Sequence, residues 1–255
     1  MLSKLKIKQI ITKIYKNLGL FGRNQKNFRT LMYHSVFDSK VELQNNDMYK
    51  LDFLLFKSQI EYLIKIKNCN FFRTDKLKDE IPVGGVALTF DDGYLDNFNL
   101  VAPYLLEKNI PFTIFVITNF IKNNKEGFMS ELNLKELSNN PLVTIGSHTC
   151  NHKNLTKINQ EQLMNELKIS KSYLENLIGK EVSSISYPYG KYNSIVKQKV
   201  FDAGYKLGFS SDFYFNETNQ DKLLLCRCEI WNSDFLDIFK DKLKGNWDWL
   251  RYIKK

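Results

Sequence analysis

Two adjacent carboxylates stand at the end of a short apolar run, where Gly85-Val86-Ala87-Leu88 leads into Thr89-Phe90-Asp91-Asp92-Gly93-Tyr94. The run is bounded by Gly and Pro and is too short for a buried helix, so it reads as a buried strand. Unpaired carboxylates leaving water cost several kcal/mol unless a cation or hydrogen-bond donors meet them. Whatever fold the chain adopts must therefore bring a partner to this strand end. A metal ion would meet the need, and Gly93 lets the backbone turn away after delivering both side chains. Asp-Asp-Gly also caps helices, and 94–107 has helical character, so capping stands beside metal binding at this point.

The same pattern repeats along the chain. Strand-like runs at 30–33, 86–90, 111–117, 142–145, 184–187, 206–210 and 223–230 are interleaved with helical periodicity at 54–66, 94–107, 159–177, 195–202 and 235–243. Asn159 followed by Gln162 is a capping-box signature. Strands alternating with helices predict parallel β/α units, and about seven repeats in roughly 220 residues suit a closed or nearly closed barrel better than an open sheet. No internal repeat and no Pro-, Gly- or Ser-rich linker divides the chain, which predicts a basic N-terminal segment over 1–27 and one domain over 28–255. In such barrels chemistry gathers at the C-terminal strand ends. The polar residues fall there: His34, Asp91-Asp92, His148, and the turn Pro188-Tyr189-Gly190.

The net charge of +9 invites a nucleic-acid reading until its distribution is considered. Residues 1–30 hold eight of the 37 basic side chains and no acidic one, which leaves 29 basic against 28 acidic elsewhere. The domain is nearly neutral, and no nucleic-acid partner is expected. In the basic segment Ile7, Ile10, Ile11, Ile14, Leu18 and Phe21 recur at spacings of three and four, with Lys6, Lys8, Lys13 and Lys16 on the other face and Gly19 as a stop. This predicts an amphipathic helix that either lies on an anionic membrane surface through 1–22 or docks its apolar stripe on the domain. It lacks the apolar core of a signal peptide or a membrane span. With Cys69, Cys150, Cys226 and Cys228 read as reduced structural thiols, the expected location is cytoplasmic or peripheral on the inner membrane face.

Only three histidines are present, and two of them bound His148-Thr149-Cys150-Asn151-His152, just after a strand. That spacing lets both imidazoles reach one ion at about 2.1 Å. With one carboxylate of the Asp pair they would make a catalytic metal site with an open position for water, and the second carboxylate would be free to act as a base.

Together with Tyr187-Pro188-Tyr189-Gly190, these motifs resemble the polysaccharide deacetylase family, the NodB-homology or carbohydrate esterase family 4 group. The likeness extends from about Arg29 to Asp234. Leu31-Met32-Tyr33-His34 resembles the N-terminal motif of the poly-N-acetylglucosamine deacetylase branch, in which motif order is circularly permuted. The resemblance implies a distorted (β/α)7 barrel and a metal-dependent hydrolase that removes N-acetyl groups from an amino sugar in a polysaccharide, a lipid-linked or a nucleotide-linked glycan. It makes Asp91 the general base and Asp92, His148 and His152 the ligands of a divalent metal, Zn2+ first, with Co2+ or Ni2+ as alternatives. It gives the backbone N–H of Tyr189 to the oxyanion, and Ser147 and Thr149 to orienting the imidazoles.

Two positions depart from the family pattern. The family's third motif opens with an Arg where this chain has Ser186, and Arg227 is the candidate replacement as the partner of Asp91. The family's late general-acid His is missing, since no histidine follows His152, and His34 is the candidate in its place because a barrel brings its first and last strands together. Trp231 and Tyr192 could offer faces to a sugar or belong to the core. A deformylase with the same machinery and an inactive carbohydrate-binding protein are the alternatives.

Overall fold

The computed structural model describes residues 4–17, 28–39, 47–67 and 69–253. Leu18, Gly19 and Phe21, named above for the N-terminal helix, lie outside the described residues. The chain runs through α1 (Lys4–Asn17), β1 (Arg29–Tyr33), β2 (Ser35–Phe37), β3 (Lys50–Asp52), α2 (Phe53–Lys65), β4 (Val86–Phe90), α3 (Ala102–Glu107), β5 (Phe112–Val116) and α4 (Thr118–Lys122). It continues through α5 (Glu131–Asn139), β6 (Val143–Ser147), α6 (Gln160–Ile178), β7 (Ser184–Ser186), α7 (Ser194–Asp202), β8 (Leu207–Phe209), β9 (Cys228–Glu229) and α8 (Leu236–Leu243).

Seven strands form one parallel sheet in the order β8-β7-β6-β5-β4-β1-β9, and β2 pairs with β3 in a separate two-stranded ribbon. The first strand sits between β4 and β9, so the N-terminal motif lies beside the last strand. A parallel bridge between Phe209 and Leu225 links β8 to the segment entering β9 and brings the two edges together. The architecture is the distorted (β/α)7 barrel expected from the alternation of strands and helices.

Side chains alternate across a strand, and this alternation sorts the core into two compartments. Leu88, Phe90, Ile114 and Val116 face outward into the large cluster formed with the helices. Ala87, Phe115, Phe209 and Leu225 face inward, where with Phe28 and Leu77 they plug the barrel floor. A Cβ at Gly146 would lie 2.4 Å from the Phe115 ring, so only glycine lets β6 pass this plug.

Two predicted elements differ in form. The helix predicted over 94–107 forms over 95–107 with a π-helical turn inserted at Asn97–Val101, while Tyr94 makes an antiparallel bridge to Phe128. Pro103 lacks the N–H that would close the preceding α-turn. The strand predicted over 223–230 is regular only at Cys228–Glu229, with one isolated bridge at Leu225 to Phe209. Four short elements, β2, β3, α4 and α5, carry too little periodicity to be read from sequence. The capping box at Asn159 and Gln162 forms as predicted and starts α6.

Candidate active site

The inward parity that builds the plug also builds the site one layer higher. Continuing along the inner face, β4 presents Thr89 and then Asp91, β7 presents Ser186, and the strand ending at Glu229 presents Arg227. Arg227 meets Asp91 in a two-pronged pair, with Nη1 to Oδ1 at 2.7 Å and Nη2 to Oδ2 at 2.8 Å, both side chains almost fully buried. Ser186 Oγ donates to Asp91 Oδ2 at 2.9 Å and accepts from Arg227 Nη2 at 2.7 Å. Thr89 Oγ1 and the Ser210 carbonyl accept the guanidinium's other donors, so its fork is filled. Burial by itself would raise the Asp91 pKa, but Arg227, with His148 nearby, outweighs it and holds the group well below the usual carboxylate range.

Asp92 leaves the strand direction through a left-handed backbone, φ 75°, and Gly93 follows at φ 82°. A Cβ on Gly93 would stand 2.9 Å from Val116 Cγ1, so this turn demands glycine twice, for its dihedral and for its contact with β5. The reversed backbone carries the Asp92 carboxylate toward the histidines: its Oδ1 lies 3.4 Å from His148 Nε2 and 3.8 Å from His152 Nε2. Thr149, His152 and Tyr189 also have positive φ. Four non-glycine residues in this sparsely populated region converge on one site, where backbone strain of this kind concentrates.

His148 Nδ1 donates to the Ser186 carbonyl at 2.8 Å, which turns Nε2 toward Asp92. Burial first, then the proximity of His148, pushes His152 down to about 4, so its imidazole is neutral and can offer a lone pair. The loop between the two rings is held from outside by Glu166 on α6, whose carboxylate accepts from the Cys150 and Asn151 backbone N–H groups at 2.9 Å and from Asn151 Nδ2 at 2.7 Å. Ser147 Oγ accepts from the Thr149 N–H, and Thr149 Oγ1 accepts from the His152 N–H.

Whether these residues suit a metal follows from their unmet valences. Asp92 Oδ1 is buried with no hydrogen-bond donor, and the ligand atoms of Asp92, His148 and His152 all lie within 4.8 Å of one another. A buried carboxylate oxygen lacking a donor beside two imidazole nitrogens is a donor set that fits a divalent cation.

All seven residues singled out from sequence for the site line one cavity of about 450 Å³. His34, following β1, lies on its wall with Nδ1 buried and unpartnered, its ring 4.5 Å from that of Tyr49. Tyr189 sits at the rim, 62% exposed, with its ring 4.6 Å from that of His152. The aromatics that line the cavity are therefore not those considered from sequence. Trp231 is 3% exposed and packs against Trp247 and Phe213. Tyr192 donates to Asp212 and packs on Tyr187. Sequence reasoning missed Tyr49, Tyr94 and Glu229, which complete the cavity wall, and Glu166, which acts from behind it. Burial, with the Glu229 carboxylate close by, pushes the Tyr49 phenol up to about 12. Alternation with Arg227 along one strand could have singled out Glu229; nothing local marks Glu166 or Tyr49.

A polysaccharide deacetylase family model matches residues 78–208. The poly-beta-1,6-N-acetyl-D-glucosamine N-deacetylase of Staphylococcus aureus is 29% identical over 221 residues, covering 80% of this chain and 74% of that protein. The YxkH protein of Bacillus subtilis is 32% identical over 127 residues, and the chain spans 44% of its length. Among solved structures, the Streptococcus pyogenes deacetylase PplD superposes with a TM-score of 0.75 at 24% identity, covering 85% of this chain and 98% of that one. IcaB from Ammonifex degensii gives 0.72 at 21% identity, covering 87% and 97%. The match across 78–208 spans half of the chain, and the chain belongs to the polysaccharide deacetylase family.

Proposed function

We propose that the protein is a metal-dependent N-deacetylase acting on an N-acetylated amino sugar within a glycan or glycan precursor. The observation that carries the reading is the two-pronged Arg227–Asp91 pair directly beside the Asp92, His148 and His152 donor set. A divalent cation held by those three residues, Zn2+ first and Co2+ or Ni2+ next, would polarise the amide carbonyl and acidify its water. Asp91, kept ionised by Arg227, takes the proton of the attacking water. Arg227 and Ser186 act as positioning residues by fixing the carboxylate. The Tyr189 backbone N–H, in a strained turn at the rim, faces the developing oxyanion. His34, on the opposite wall, delivers a proton to the leaving amine. Tyr189 and Tyr49 offer ring faces to the sugar.

Relatedness to the poly-N-acetylglucosamine N-deacetylase of Staphylococcus aureus supports an N-acetylglucosamine glycan as the substrate class. The free state of all four cysteines supports a reducing, cytoplasmic setting, and the basic N-terminal helix supports contact with an anionic membrane. No helix among the described residues is long and apolar enough to cross a membrane.

The test is metal analysis of the purified protein, then release of acetate or formate from N-acylated glucosamine oligomers with Zn2+, Co2+ or Ni2+. Metal-dependent acetate release is the expected result. Formate release would reassign the acyl group, and sugar binding with release of neither would mark an inactive binder.

A further inference from the structure

The N-terminal helix docks on the domain by the face that hydropathy would not choose. Thr12, buried, accepts from Trp249 Nε1 at 3.0 Å, and the Tyr15 ring stacks on Trp249 with centroids 6.0 Å apart and planes 9° from parallel. Lys8 Nζ lies 4.2 Å over the Trp231 ring, and Lys16 pairs with Asp241 at 2.9 Å. These residues recur at helical spacing and form the inward face. The outward face carries Ile7, Ile10 and Ile14, which are 46%, 46% and 52% exposed. Ile11, between the two faces, packs partly against the core. The turn that carries Trp249 ends in Tyr252 and Ile253, which are 60% and 65% exposed.

The helix docks, but Ile7, Ile10 and Ile14 of the predicted apolar stripe stay outside while Ile11 packs inward. Lys6 and Lys13 are exposed along it, and α1 contains no acidic residue. This charge decides the occupant. A second copy would set two all-basic helices against each other, whereas an anionic bilayer accepts the isoleucines below its headgroups and the lysines among its phosphates.

The docked position also relates the helix to the catalytic cavity. Trp231, under Lys8, donates its indole N–H to Glu229 Oε2 at 2.9 Å, and Glu229 lines the cavity with His34 and Arg227. Trp231 thus links the Lys8 end of α1 to the cavity wall at the C-terminal end of β9, while the other end of the helix rests on Trp249, next to the Asp248 that pairs with Arg29 at the start of β1. We propose that α1 is an interfacial anchor that lies along the barrel seam and holds the domain on an anionic lipid surface, so that the enzyme works on glycan tethered to that surface. The inference rests on the deacetylase reading for its catalytic half and on the geometry of α1 for its membrane half.

The test uses the full chain and an Ile7→Ser, Ile10→Ser, Ile14→Ser variant, whose substitutions lie on the outward face. Each is floated with phosphatidylcholine vesicles with and without phosphatidylglycerol. Each is then assayed for acetate release from a soluble N-acetylglucosamine oligomer and from the same oligomer coupled to a lipid in those vesicles. The native chain should float only with phosphatidylglycerol, and the variant should lose about tenfold or more of that binding. The variant should hydrolyse the soluble oligomer at the native rate and the tethered one about tenfold more slowly. Equal flotation of the two chains, or a dimer on gel filtration that the substitutions dissolve, would overturn the anchor. Equal rates on tethered glycan despite lost flotation would overturn the link between the anchor and turnover. Failure of both chains on soluble oligomer would refute the deacetylase reading alone, because flotation still decides the anchor.

Discussion

Asp91 and Asp92 are adjacent in sequence and opposite in circumstance. Asp91 faces inward, gripped by Arg227 and Ser186, while Asp92 swings out through a left-handed backbone and leaves one oxygen without a donor. Asp92→Asn should lose bound metal by elemental analysis, whereas Asp91→Asn should keep metal and lose about 10²–10⁴-fold in turnover. Equal metal retention by both variants would refute this division. His34→Ala should likewise keep metal and lose turnover in a similar range of about 10²–10⁴-fold. Arg227→Gln leaves Asp91 buried without its countercharge, so urea unfolding should show a loss of about 3–5 kcal/mol. The Asp91 pKa rises in that variant, and the acid limb of kcat/KM should move to higher pH. In the native chain the folded Asp91 titrates below its unfolded value. Its stabilising contribution is therefore complete above the unfolded value of about 3.9 and is lost as pH falls through the lower folded value.

At the scale of elements, the two imidazoles beside Asp92 belong to a loop that has no regular structure of its own. Its shape is imposed by α6, where Glu166 satisfies two backbone N–H groups and one side-chain amide at once. Glu166→Ala should weaken metal affinity about 10–100-fold, by competition with a chelator, although Glu166 touches none of the three ligands. A circular-dichroism spectrum that stays native would separate this effect from loss of α6. Where the family pattern has an Arg in the third motif, β7 carries Ser186, and β9 supplies the guanidinium from across the barrel. The exchange works because both strands present inward residues at the same height. The motif position changed while the charge beside Asp91 did not.

At the scale of the whole molecule, closure of the barrel brings distant segments into single contacts. Arg29 at the start of β1 forms a buried two-pronged pair with Asp248, 219 residues away, and Phe209 bridges to Leu225 at the seam. The seam strand buries Cys226 and Cys228 and pushes their thiols up to about 12 and about 11, in each case chiefly by desolvation. Neither should form thiolate below pH 9, so alkylation of the folded protein read by mass spectrometry should label Cys69, the one cysteine that is not buried, and spare the other three. Labelling of Cys226 before denaturation would show that the seam opens.

The fold class and most of the site were legible in local patterns. Alternating β/α periodicity determined a parallel barrel, and polar residues at the ends of apolar runs determined which end carries chemistry. These signals are local because backbone hydrogen bonding and burial act at spacings of two and three to four residues. The tertiary structure alone decided that Trp231 belongs to the core while Tyr49 and Tyr189 line the cavity, that Glu166 holds the histidine loop, and which face of α1 docks. Each of those depends on neighbours far apart in the chain, where no spacing in the sequence records a distance. The isoleucine stripe of α1 shows the difference: its periodicity determined a helix with an apolar face, and only Trp249, more than two hundred residues later, decided that the face would point outward.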